Sequence, residues 1–143
     1  MRKTLAIGTC VLLLGSIASA ACISIEEAAK KIGETACVTG KVLKVAQSKG
    51  GTYFLDFCED YRNCPFTVVV FPKDLPNVGA VKLLTGKTIE ITGKIEEYRG
   101  RAEIVLKDKR QLKGELAKMP PPPKTYDSTR HGTYSAGTFR KKK

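Results

Sequence analysis

The chain has 143 residues, with 25 Lys and Arg against 14 Asp and Glu, one His and a formal charge of +11. That length suits one small domain. A net charge of this sign suits polyanions such as nucleic acid, lipopolysaccharide or an anionic membrane, although it also serves solubility alone.

Residues 1–20 have the layout of an export signal. Arg2 and Lys3 form a positive start, Leu5 to Ile17 carries no charge, and Ala18-Ser19-Ala20 supplies small residues for cleavage. The apolar run is too short for a comfortable membrane span. Cys22 introduces a rival, lipid attachment at a lipoprotein signal. Such a signal wants a Leu-like residue three places before the Cys, and Ser19 stands there. The expected destination is the periplasm or the exterior. Without Arg2 and Lys3 the chain retains 23 Lys and Arg against 14 acids, near +9.

Cys22, Cys37, Cys58 and Cys64 remain after Cys10 is removed with the signal. An even number in a small exported domain reads as disulfides, and four Cys allow three pairings. Cys58 and Cys64 flank Glu59-Asp60-Tyr61-Arg62-Asn63 between two predicted strands and are placed to close that loop. Cys22 with Cys37 then pins the N-terminal segment to the first strand. A four-Cys zinc site is the rival, although the spacing lacks paired short knuckles. No cofactor or metal is expected.

Residues 21–35 hold a short helix, from Ser24 to Gly33. Ser24 and Glu27 have capping-box spacing, and Gly33 suits the C-terminal cap. The expected barrel covers residues 36–114. Its first strand, Ala36 to Gln47, is long, and Gly40 is the expected bend. After the turn Ser48-Lys49-Gly50-Gly51, Thr52 to Cys58 alternates, with Tyr53, Leu55 and Phe57 on one face and Thr52, Phe54 and Asp56 on the other. Phe66 to Phe71 is a third strand. Lys73 to Leu84, with Pro76 and Gly79, reads as a turn and short helix. Lys87 to Ile95 is a fourth strand, Glu96 to Arg101 a turn, and Ala102 to Lys107 a fifth strand. The order of three strands, a helix and two strands is that of an all-β, five-stranded OB-fold Greek-key barrel.

Three segments carry a resemblance. Gly33 to Val42 resembles the opening strand of OB-fold domains of the tRNA-anticodon/helicase type. Gly86-Lys87-Thr88-Ile89-Glu90-Ile91-Thr92-Gly93-Lys94-Ile95 resembles their fourth strand, and Tyr98 to Leu106 their following hairpin. Small exported bacterial OB-fold proteins are the most similar kind, over residues 24–112. The resemblance implies single-stranded nucleic-acid binding, through a basic groove and aromatic platforms. It points to Phe54 and Phe71 as stacking residues, if they face outward rather than pack inside. Lys44, Lys49, Tyr98, Arg99 and Arg101 are the candidate strand and loop contacts. Asp56, Glu59 and Asp60 lie near the same groove and repel phosphate.

Residues 115–143 read as a Pro-rich, basic, disordered tail. Pro120 to Pro123 form a stiff spacer, and the segment carries seven Lys and Arg against two acids, with Tyr126, Tyr134 and Phe139 among them. There is no HExxH, G-x-S-x-G or phosphate-loop motif, and the single His131 lies in this tail, so no catalytic residue is assigned. Two rivals to nucleic-acid binding stand beside it. One is a protein-interaction or small-ligand OB domain whose tail docks on an anionic envelope surface. The other is an accessory subunit for an enzyme.

Overall fold

The structure, a computed structural model, describes residues 21–122. The expected export signal, and the tail from residue 123 with Tyr126, His131, Tyr134 and Phe139, lie outside them. Among the described residues the chain is mostly β, with seven strands in two sheets and a few short helical turns.

The N-terminal helix α1 (Ile25–Ala28) starts as its sequence dictates. The Ser24 hydroxyl accepts from the Glu27 N–H and the Glu27 carboxylate accepts from the Ser24 N–H, each at 3.3 Å. It stops short of the expected Gly33. The Gly33 N–H donates to the Ile95 carbonyl and the Ile95 N–H to that of Glu34, so this backbone is committed to strand pairing rather than to further helical turns.

The long first strand is divided into β1 (Thr35–Lys41) and β2 (Lys44–Gln47). The break falls at Val42-Leu43, not at Gly40. Here the chain changes partners: the Val42 N–H donates to Lys87 beside one strand, and the Leu43 N–H to Asp56 at the end of another. Gly40 has a different task. A Cβ there would stand 2.8 Å from the Phe57 ring, so the glycine lets that ring pack against the strand.

β3 (Tyr53–Asp56) and β4 (Phe66–Val70) follow. The expected helix over Lys73 to Leu84 is three short turns, of which only α2 (Leu75–Val78) is α-helical. Then come β5 (Thr88–Lys94), β6 (Glu96–Tyr98) and β7 (Arg101–Val105). Most of the expected turn Glu96 to Arg101 is therefore strand. The reversal needs only Arg99 and Gly100, both with positive φ (51° and 76°), which suits a two-residue hairpin between twisted strands.

β1 pairs antiparallel with β5, and the second sheet has the order β2-β3-β4-β7-β6, with β4 and β7 parallel. The edge strands of the larger sheet are continuations of the smaller one: β1 runs into β2 through Val42 and Leu43, and β5 into β6 through Ile95. The inward faces share one core, in which Val38, Leu55, Phe66, Val68, Ile91 and Ile104 are almost wholly buried. Each such apolar side chain contributes roughly 1.5–3 kcal/mol.

Packing extends beyond residue 114. A helical turn at Gly114–Lys118 leads to a buried Met119, and the Pro120 carbonyl accepts from the Ala80 N–H. The first residues of the expected tail thus lie against the loop that follows α2. The two disulfides pair as the sequence spacing suggests, Cys22–Cys37 and Cys58–Cys64. A zinc site or a lipid thioether would need some of the same sulfurs unbonded. The bridges indicate an oxidising, extracellular type of environment. No helix among the described residues is long and apolar enough to cross a membrane.

Candidate nucleic-acid interface

The larger sheet turns Tyr53, Leu55, Val68 and Val70 into the core, so alternation sends Phe54, Asp56, Thr67 and Val69 to its outer face. Strand register arranges that face in rows. One row is Ala46–Phe54–Val69–Val105. Val69 is only 3% exposed yet stands apart from the core cluster. Phe54 is half-buried. Phe71 lies two residues beyond Val69 in extended conformation, hence on the same face, and is 39% exposed. Both phenylalanines chosen from the sequence therefore lie on one open surface.

The next row is Lys44–Asp56–Thr67–Glu103–Glu96. The Thr67 hydroxyl donates to the Leu55 carbonyl at 3.1 Å and needs no other partner. Asp56 and Glu103 flank it. Partial burial pushes the Asp56 carboxyl above the ordinary aspartate value, against the pull of Lys44 and Arg101. Burial also raises Glu103, and its cross-strand neighbour Glu96 raises it further, against Arg101 alone. The acidic row is thus stronger than the sequence suggests, because strand pairing adds Glu103 and Glu96 to Asp56.

The two ends of this face differ. At one end the Ser48 hydroxyl accepts from the Thr52 N–H at 3.2 Å and fixes the turn that carries exposed Lys49. At the other end the β6–β7 hairpin holds Tyr98 opposite Arg101, with the Arg99 guanidinium 5.2 Å from the Tyr98 ring centre. Lys49 therefore does not join Tyr98, Arg99 and Arg101. Lys44, Phe54 and Phe71 lie on the face between these two ends.

The hairpin end contains two residues that sequence reasoning passed over. The Arg101 guanidinium donates to the Tyr61 carbonyl, tying the Cys58–Cys64 loop to the hairpin. In that loop Tyr61 is 51% exposed, and the Arg62 guanidinium lies 5.6 Å from its ring centre. The signal was present: Tyr-Arg occurs at Tyr61-Arg62 and again at Tyr98-Arg99. Glu59 and Asp60 belong to this loop rather than to the sheet face. The Asp60 carboxylate is engaged by the Arg62 N–H and by the Asn63 amide.

No protein-family model, curated protein or solved structure matches this chain.

Proposed function

We propose that this chain is an exported OB-fold module that binds single-stranded nucleic acid weakly and without sequence preference. The fold reading rests on strand continuity. With β1–β2 taken as one strand and β5–β6 as another, the pairing is first to second, second to third, third parallel to fifth, fifth to fourth and fourth to first. That is the order of a five-stranded Greek-key OB barrel. The signal-like residues 1–20 and the two disulfides support the export reading.

The observation that carries the functional reading is the outer sheet face itself. Phe54 and Phe71 share it, with Lys44 on the same face of the neighbouring strand. Sequence-independent single-strand binding needs stacking surfaces and nearby cations, and needs no hydrogen-bonded base code. The basic tail would add long-range attraction to the same ligand. The role is binding, not catalysis.

Asp56, Glu103 and Glu96 oppose a phosphate chain and keep the expected affinity in the micromolar range. The same row favours a second reading, a protein or small-ligand module taking an uncharged or cationic group. Fluorescence anisotropy with a labelled single strand across a salt series separates the two. In the first reading the protein binds at low salt with a steep salt dependence, and Phe54→Ala weakens binding about tenfold, as the loss of one stacked base requires. Absence of binding at low salt would sink it and leave the second.

A further inference from the structure

We propose that the Cys58–Cys64 loop and the β6–β7 hairpin form one clamp for the phosphate backbone of a single strand, distinct from the Phe54–Phe71 surface. The inference rests on the nucleic-acid reading and adds a second contact region to it.

The clamp is built from a duplicated unit. Tyr61-Arg62 and Tyr98-Arg99 each present a half-exposed phenol ring with a guanidinium against it, at 5.6 and 5.2 Å from the ring centres. Neither unit packs into the core, so neither is explained by folding. Both are nonetheless held in place. The hairpin is fixed by the positive φ angles of Arg99 and Gly100. The loop is closed by its disulfide, and the Asp60 carboxylate organises it by accepting from Arg62 and Asn63 at 3.0 and 2.8 Å. Arg101 then joins the two by donating to the Tyr61 carbonyl.

The Arg62 Nε donates to the Tyr61 hydroxyl at 3.4 Å, which holds the guanidinium at its ring and leaves the terminal N–H groups to suit phosphate oxygens. The exposed ring offers a surface for a base. Two such pairs on adjoining elements match a ligand in which phosphate and ring alternate, whereas a lone anion would use only one. Arg62, Arg99 and Arg101 supply the positive charge. Asp60 is occupied within the loop, and the opposing charges are Asp56 and Glu103, both of which feel Arg101, with Glu59 in the loop itself.

The test uses the oxidised full chain and a fluorescein-labelled oligothymidylate, read by anisotropy over a salt series. Arg62→Gln is expected to weaken binding several-fold and to reduce the slope of log affinity against log salt by about 0.7, the value for one phosphate contact on a single strand. Tyr61→Ala is expected to weaken binding about fivefold or more with the salt slope unchanged. Arg62 is exposed, so thermal unfolding of Arg62→Gln should match the parent protein. Wild-type affinity and slope in both variants, with Phe54→Ala still weakened, would overturn the clamp and leave the sheet face as the binding surface. Absence of binding by the parent protein would overturn both.

Discussion

Glu103 shows how a single side chain limits what the sheet face can bind. It stands in register between Thr67 and Glu96, one strand beyond the neighbour of Asp56. Burial and Glu96 both raise its carboxyl above the ordinary value of 4.5, and burial raises Asp56 above 3.8. A charged carboxylate repels phosphate, and these two neutralise at higher pH than ordinary carboxylates do. Affinity for an anionic strand should therefore rise as pH falls from neutral toward the carboxylate range, and begin to rise at higher pH than ordinary carboxylates would cause. Glu103→Gln should raise affinity at neutral pH and flatten that dependence. The linkage to stability has the same sign. A carboxyl with a raised folded-state pKa contributes stability that is fully present below its unfolded pKa and lost as pH rises through the folded value. Glu103→Gln is accordingly expected to be neutral or mildly stabilising at pH 7. Anisotropy and urea denaturation across this pH range check both; an affinity independent of pH in parent and variant would contradict the electrostatic account.

Secondary-structure elements divide into those legible from local pattern and those set by distant partners. β3 and β5 read directly, because alternation of large apolar and polar side chains is a local property: Tyr53 and Leu55 against Phe54 and Asp56, Ile89 and Ile91 against Thr88 and Glu90. The capping box of Ser24 and Glu27 is equally local. The break at Val42-Leu43 is not, since neither residue is a breaker and only the exchange of hydrogen-bond partners creates it. β6 is hidden for the same reason: Glu96 to Arg101 reads as a turn until Glu96 is paired with Glu103. Gly40 was visible but carried the wrong meaning. A Cβ there would stand 2.8 Å from Phe57 Cδ1 and 3.1 Å from Ile25 Cγ2, and Phe57 in turn packs on Phe66 at 5.5 Å between ring centres. Gly40→Ala should cost about 1–3 kcal/mol through overpacking. Equilibrium urea unfolding measures it, and an unchanged midpoint would show that the ring shifts freely.

Across the whole molecule, the outer face could be named from sequence only as far as Lys44, Phe54, Asp56 and Phe71; Glu103 and Glu96 in its acidic row and the second Tyr-Arg pair needed the fold to bring distant residues together. The two disulfides have different places in that assembly. Cys22–Cys37 spans 15 residues and backs the attachment of Ile23, whose N–H donates to Cys37 and whose carbonyl accepts from Thr39. Cys58–Cys64 spans 6 residues, closes its own loop and anchors it to the core through buried Cys64. Loop-closure entropy gives the first about 3 kcal/mol and the second about 2. A domain of this size has a total stability on the order of 5–15 kcal/mol, so either loss is measurable. Their effects on binding should run the other way. Replacing Cys22 and Cys37 by Ser should lower the unfolding midpoint more, yet leave single-strand affinity unchanged wherever the protein stays folded. Replacing Cys58 and Cys64 by Ala, which keeps an apolar side chain at buried position 64, should lower the midpoint less and weaken binding, because Tyr61 and Arg62 lose their fixed position. Paired denaturation and anisotropy measurements on the two variants test this. Equal binding by both would show that the Cys58–Cys64 bridge serves stability alone.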